Sequence, residues 1–194
     1  MFLDRDGTIT DEVGYVNHPS RLRLLRGSAD AIRMLNDRGV YAVVTTNQAG
    51  IARGYFTEDV LKATNERLLK LLARRCARLD GLYYCPHHPT VGPAEYRIDC
   101  NCRKPKPGMI ESACRDLPID LANSYMVGDR ISDSTFGHRL GLRTVMVMTG
   151  YGRGEFKYQR ESWTDAPDHF APDLRRAVEW IMQDLENRGV LTDK

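Results

Sequence analysis

The sequence predicts an α/β domain, a Rossmann-like doubly wound parallel sheet with helices on both faces. Three observations predict it. Apolar, β-branched runs such as "VYAVVTT" and "LRTVMVM" are nearly continuous, as strands covered on both faces are. Between them lie stretches whose apolar residues recur at helical spacing. Strand and helix alternate along the chain, which favours parallel crossovers over hairpins. The 194 residues suffice for one domain with a real core but not for two large ones, so residues 1–194 are read as a single unit.

The first strand has only Met1, Phe2 and Leu3 ahead of Asp4, against a usual length of about 5–6 residues. Either the natural start lies upstream or this strand is unusually short. Ser28 is placed as the cap of a helix carrying Ala29, Ile32 and Leu35, with Gly39 as its stop. "VYAVVTT" is the second strand. Thr57 opens a long helix with Val60, Leu61, Thr64, Leu68, Leu71, Leu72 and Leu79 on its buried side, and Asp80-Gly81 turns the chain. The strand "LYYC" runs into a loop of thiols and imidazoles, then a helix whose first residue is Pro107, where a missing N–H costs nothing. The strand "SYMVGD", a short helix, the strand "LRTVMVM", a Gly-rich link through "TGYGRGE" and a helix from Asp173 with Leu174, Val178, Ile181 and Leu185 follow.

Composition narrows the function. Net charge is +2, with 28 basic against 26 acidic residues, so no global field points to nucleic acid or membrane, and neither is expected as a partner. "MFLDRDGTIT" is charged from its fourth residue, unlike a signal peptide, and no apolar run is long enough to span a bilayer, so a cytoplasmic location is expected. Nothing suggests a large exposed apolar seam, and a monomer is expected. Five cysteines in a reducing compartment point to metal binding or chemistry before disulfides.

Asp4 and Asp6 flank Arg5 and precede Gly7-Thr8. Residues i and i+2 of a strand face one side, so both acids can look into one site at the strand's carboxyl end, where open α/β sheets bind ligands. A divalent metal would let two such charges coexist. Taken alone, "DRDG" reads equally well as a strand-to-turn exit. Other strand ends decide between the two: Thr46-Asn47-Gln48 ends the second strand, Lys104 precedes a proline-opened helix, and "VGDRISD" puts Asp129 just past the fourth strand. This set suits phosphoryl transfer, with Asp4 to attack phosphorus, Asp129 to complete a magnesium site, and Thr46 and Lys104 to neutralise the equatorial oxygens. Asp133 either bridges to the metal's waters or caps its helix.

The motifs DxDGT, a strand-end Thr, a Lys before a helix, and GDxxxD, in that order, resemble the haloacid dehalogenase superfamily of aspartyl-phosphate phosphatases. The resemblance implies that Asp4 is the nucleophile and that Asp6 protonates the leaving alkoxide and then activates water. It also implies a catalytic Mg2+ held by Asp4, Asp129 and the backbone carbonyl of Asp6. Members often carry cap domains, but the spacings from Asp4 to Thr46 and from Thr46 to Lys104 leave room for none. An essentially capless enzyme is expected.

Cys85, His87, Cys100 and Cys102 form C-x-H and, about twelve residues on, C-x-C. Three thiolates and one imidazole satisfy tetrahedral zinc with no open position, so a structural Zn2+ is expected to staple residues 85–102. His88 is the rival ligand. A nucleic-acid finger would want a helix bearing a ligand, whereas this loop runs into Arg103-Lys104 and would aim them at the catalytic site.

Within the superfamily the staple resembles a small bacterial group of heptose-bisphosphate and histidinol-phosphate phosphatases. "FLDRDGTI", "GYV", "TNQ" with "GIARG", "GLYYCPHHP", "CRKPKPGM" and "SYMVGD" resemble the heptose branch, as does the long insert between His87 and Cys100. By that resemblance Asp4, Arg5, Asp6 and Gly7 line the phosphate end, and Glu12, Val13, Gly14, Tyr15, Asn47 and Gln48 face the sugar. Arg103 recognises a second, anomeric phosphate, its fork suiting bidentate binding. Arg130 stands where the family commonly has Lys, Val13 where a His can occur and Ala49 where a Ser can occur. The expected activity is Mg2+-dependent hydrolysis of a small sugar bisphosphate at its 7-phosphate, with histidinol phosphate or a nucleic-acid 3′-phosphate as rival substrates and a non-enzymatic zinc-stapled module as the remaining reading. Cys76 and Cys114 are placed on helices as core or surface residues, and His18, His138 and His169 lack metal-like partners at useful spacing. Arg153, Lys157 and Arg160 are placed on a solvated linker, with attraction of an anionic substrate as the alternative.

Overall fold

The computed structural model describes residues 1–191. Six parallel strands form one sheet: β1 (Phe2–Leu3), β2 (Val43–Asn47), β3 (Gly81–Cys85), β4 (Tyr125–Gly128), β5 (Arg143–Val147) and β6 (His169–Ala171), in the order β3-β2-β1-β4-β5-β6. The order reverses at β1, which pairs with β2 on one side and β4 on the other. Beyond the carboxyl ends of β1 and β4 lies the crevice that such a reversal creates.

A two-residue strand at the sheet's centre is held by what its side chains bury. Phe2 and Leu3 are both wholly buried and face opposite sides of the sheet. Each contributes about 1.5–3 kcal/mol by leaving water. Phe2 joins the layer built on α3 (Gly108–Asp116) and α4 (Ile131–His138), with Ile110, Met126 and Phe136. Leu3 joins the larger layer under α1 (Ser28–Asp37), α2 (Glu58–Ala73) and α6 (Leu174–Asn187), with Ile32, Leu68 and Ile181.

The helix starts expected at Thr57 and Asp173 are present, each side chain accepting from the backbone N–H three residues on. Pro107, expected as the first residue of α3, sits immediately ahead of it, and Gly108 is the first helical residue. Four further expectations need correction. Gly27, with φ of +82°, precedes α1, and Ser28 is its first helical residue, its hydroxyl donating to Ile9 O and Leu25 O at 2.8 Å each. The second strand starts at Val43 rather than Val40, because the chain enters the sheet only where it meets β1. α2 stops at Ala73, so Leu79 packs on the core from the following loop. "TGYGRGE" is not a link. It opens α5 (Gly152–Tyr158), and β6, which carried no sequence signal, pairs with β5.

Between β1 and β2 the chain forms a loop, one short 3-10 turn and α1, and between β2 and α3 it forms α2, β3 and the Cys/His loop. No helix among the described residues is long and apolar enough to cross a membrane.

Candidate active site

The site begins where β1 ends. Asp4 N–H still donates to Val127 O at 2.9 Å, so the chain stays in register with β4 for one more residue and Asp4 emerges at the carboxyl end of the sheet. Lys104 reaches it from the segment ahead of α3. Its Nζ lies 2.6 Å from Asp4 Oδ1, 2.7 Å from Asp133 Oδ1 and 2.9 Å from Thr45 O, which uses all the donors of an ammonium. Asn47 fixes the lysine's backbone, its Oδ1 accepting from Lys104 N at 3.0 Å and its Nδ2 donating to Lys104 O at 3.2 Å. Expected to face a sugar, Asn47 lines the cavity but spends both ends of its amide on this peptide.

Of the two readings left open for Asp133, the structure shows the helix cap. Its Oδ2 accepts from Arg130 N at 3.2 Å, closing the first turn of α4, while its Oδ1 holds Lys104. Asp129 is buried and accepts from Tyr151 N at 2.7 Å. Room for it depends on Gly7: with φ of +82°, a Cβ there would stand 2.1 Å from Asp129 Oδ2.

Oxygens of Asp4, Asp129 and Asp133 all lie within 4.8 Å of one another. Burial pushes the Asp4 carboxyl up to about 7, with the charges of Asp133 and Asp6 adding to the shift and Lys104 opposing it. Burial, then the charges of Asp4 and Asp133, pushes Asp129 up to about 8. Lys104 moves up as well, since the attraction of Asp133 and Asp4 outweighs the burial that would lower it. Lys104 pairs with two of these three buried carboxylates, Asp4 and Asp133, and a divalent cation coordinated by oxygen would supply further positive charge.

Asp6 lines the same cavity but is held differently. Its carboxylate accepts from Gln48 Nε2 at 2.8 Å, Thr10 Oγ1 at 3.2 Å and Arg5 Nη2 at 2.8 Å. Arg5 corrects the expectation that it lines the phosphate end. Its side chain is wholly buried, its Nη1 donates to Asn65 Oδ1 at 3.0 Å, and it contributes nothing to the cavity wall. The reason is alternation: the residue between two acids that face the crevice must face away, and Arg5 turns back beneath Asp6 towards α2. Gly7 also forms no part of that wall, and Val13 lies outside it on an exposed rim. Thr46 is buried beside Gln48, accepting from its Nε2 at 2.9 Å.

The cavity measures about 360 Å³. Asp4, Asp6 and Asp133 form its floor together with Lys104, and Glu12, Gly14, Tyr15, Arg103 and Arg130 line its wall. Five wall residues were not singled out from the sequence: Val16, Gly50, Arg53, Ser132 and Tyr151. Arg53 lay inside the stretch "GIARG", but nothing in the local pattern told its direction. The Arg130 guanidinium sits 3.7 Å from the centre of the Tyr151 ring, a cation–π contact that holds it upright. Arg53, Arg103 and Arg130 line the wall without a carboxylate partner among the described residues, in contrast to Lys104 on the floor, which pairs with Asp4 and Asp133.

The Cys/His loop begins at the end of β3, beside β2. Cys85 Sγ lies 3.4 Å from Cys100 Sγ and 3.9 Å from His87 Nδ1, and Cys102 Sγ lies 3.0 Å from Cys100 Sγ and 3.4 Å from His87 Nδ1. A zinc tetrahedron has edges of roughly 3.5–3.8 Å, so these four donors fit one ion. Hydrogen bonding from Cys85 holds the Cys102 thiol down at about 5 against the effect of burial, while Cys85 is pushed up by its bond to Cys102 and by burial. His88 turns the other way, towards Arg53. Arg103 Nη1 donates to His87 O at 3.2 Å, which ties the loop to the cavity wall.

The family model described as "HAD-hyrolase-like" matches residues 101–177. The chain is 44% identical over 173 residues to the D-glycero-beta-D-manno-heptose-1,7-bisphosphate 7-phosphatase of Pasteurella multocida (strain Pm70), covering 86% of this chain and 94% of that one. It is 41% identical over 186 residues to the Escherichia coli (strain K12) protein of the same name, covering 95% and 88%. The crystal structure of D,D-heptose 1.7-bisphosphate phosphatase from B. bronchiseptica, complexed with magnesium and phosphate, aligns with a TM-score of 0.82 at 32% identity over 95% of this chain and 98% of that one. The Burkholderia thailandensis D,D-heptose 1,7-bisphosphate phosphatase aligns with a TM-score of 0.68 at 27% identity over 93% and 96%.

Proposed function

Because the chain belongs to the haloacid dehalogenase-like phosphatase family, we propose that it removes the 7-phosphate of D-glycero-D-manno-heptose 1,7-bisphosphate through an aspartyl-phosphate. The observation that carries this reading is the placement of Asp4. It sits on the floor of a cavity, with one oxygen fixed by Lys104 and a wall of three arginines above it. The floor suits one phosphoryl group and the wall suits an anionic remainder, as in the relatives' bisphosphate.

Asp4 attacks phosphorus in line with the departing sugar oxygen, forming the P–O bond to its carboxylate as the bond to the sugar breaks. Lys104 turns one oxygen of Asp4 aside and, with Thr46, offsets charge on the equatorial oxygens. Asp6 gives its proton to the leaving alkoxide. It then takes a proton from the water that attacks the aspartyl-phosphate, which releases phosphate and restores Asp4. Arg5, Gln48 and Thr10 hold Asp6 in one orientation for both transfers. Mg2+, held by Asp4, Asp129 and the backbone carbonyl of Asp6, would supply charge neutralisation at the transferring phosphoryl group.

Zn2+ on Cys85, His87, Cys100 and Cys102 is structural in this reading, since four protein donors leave no position for substrate. The enzyme works as a cytoplasmic monomer in the making of an activated heptose.

The test is kcat/KM for phosphate release from heptose 1,7-bisphosphate and from histidinol phosphate, side by side with Mg2+. The relatives are named for the β anomer, so that anomer is assayed first. A preference of about a hundredfold for the heptose, about 2.7 kcal/mol, is expected. Equal or reversed preference would remove the substrate assignment while leaving the phosphatase chemistry in place.

A further inference from the structure

Between His87 and Cys100 the chain has no helix or strand, yet it does not hang free. It rests on the tight turn that follows β2, where Arg53 N donates to Ala49 O at 3.0 Å and Tyr55 N to Gly50 O at 2.9 Å. Two contacts make the junction. At Gly92, with φ of +105°, a Cβ would stand 2.2 Å from Ala52 O, so backbone lies directly against backbone. Four residues earlier, His88 Nε2 lies 3.1 Å from Arg53 Nη2.

Arg53 lines the cavity but is otherwise exposed. A long cation on a short turn ordinarily samples many rotamers, and ordering it on binding an anion costs about 0.5–1.5 kcal/mol. Here the histidine and the packed turn meet part of that cost in advance. Arg103 is fastened in a parallel way, through His87 O. Consecutive residues of one loop therefore each hold one arginine of the cavity wall, and among the described residues neither arginine pairs with a carboxylate. A fork-shaped cation held in place and left unpaired suits a phosphate dianion.

We infer that Arg53 is a specificity residue that binds the phosphate group left in place by the reaction, and that the segment between His87 and Cys100 acts by holding Arg53 through His88 and Gly92. The inference rests on the bisphosphate reading above. It gives the insert a role, presenting a cation to the far end of the substrate while the catalytic floor is built from other elements.

The test measures KM and kcat with Mg2+ for the wild type, Arg53→Met, Arg53→Lys and His88→Ala. Each is assayed on heptose 1,7-bisphosphate and on heptose 7-phosphate, which lacks the second phosphate. Arg53→Met is expected to raise KM for the bisphosphate about tenfold or more, with kcat within about twofold and the monophosphate kinetics nearly unchanged. Arg53→Lys should recover part of that loss, because the charge remains and the fork does not. His88→Ala should shift the bisphosphate KM in the same direction by about threefold. Equal losses on both substrates, or an unchanged bisphosphate KM in Arg53→Met, would overturn the assignment. A wild type that releases no phosphate from the bisphosphate would overturn the substrate reading itself and this inference with it, a result visible before any variant is compared.

Discussion

Lys104 Nζ stands 2.6 Å from Asp4 Oδ1 and 2.7 Å from Asp133 Oδ1, so a single ammonium ties the end of β1 to the first turn of α4. All three groups are buried. The arrangement joins stability to chemistry, because the group that fixes one oxygen of Asp4, the nucleophile of the proposed reaction, also offsets the buried charge of Asp4 and Asp133.

Replacing that cation separates the two roles. Lys104→Met leaves buried carboxylates without their partner, a change that ordinarily costs about 3–5 kcal/mol, and it removes positive charge from beside the position proposed for the transferring phosphoryl group. Activity is expected to fall by about a hundredfold or more. The drop in Tm should be larger in EDTA than in Mg2+, since a divalent cation can take over part of the neutralisation. Thermal unfolding in the two buffers checks this, and equal drops would show that Lys104 and the metal do not share the same charge.

The acids also set a pH dependence. Asp4 and Asp129 are pushed up to about 7 and about 8, chiefly by burial. An unfolded carboxyl loses its proton near 3.9. Between those limits the folded chain without metal holds protons that the unfolded chain has released, so its stability falls as pH rises from about 4 to about 8. Mg2+ displaces those protons. Its stabilisation, read as the rise in Tm over EDTA, should therefore be larger at pH 8 than at pH 5.5, and the reverse order would contradict the placement of the acids. Asp4→Asn should fold, flatten the EDTA slope and lose kcat by about a thousandfold or more, and appreciable turnover in this variant would remove Asp4 as nucleophile.

The Cys/His cluster makes a separate prediction. One zinc per chain should be found by metal analysis, and Cys102→Ser should lower it. Because Arg103 hangs on His87 O, loss of zinc should raise KM for the bisphosphate more than it lowers kcat. A zinc-free protein with unchanged KM would mean that the loop holds its shape without the ion.

Much of this site was legible in the sequence for a simple reason. In a parallel sheet the carboxyl ends of all strands meet at one edge, so residues placed just past strand ends must converge. Asp4, Thr46 and Asp129 did so from sequence positions far apart. The thiols and imidazole of the Cys/His loop were legible because metal spacing is local. Less visible was "TGYGRGE". Its glycines read as a link, but the helix there is imposed by contacts made elsewhere: a Cβ at Gly152 would stand 1.9 Å from Val147 O, and Glu155 Oε2 accepts from Ile131 N at 2.7 Å to close the start of α4. β6 is three residues long, too short to show a period.

The sequence by itself determined the alternation of strand and helix, the acids and lysine of the floor, and the thiols and imidazole of the Cys/His cluster, because each rests on spacing along the chain. Only the tertiary structure decided that Arg5 turns inward beneath Asp6, that Lys104 bridges Asp4 and Asp133, and that Arg53 faces the cavity with His88 behind it. Those directions depend on neighbours distant in sequence, Asn65 for Arg5 and the insert after His87 for Arg53. A side chain that leaves the end of a strand or a turn has no periodicity to obey, and its direction is set by whatever packs against it.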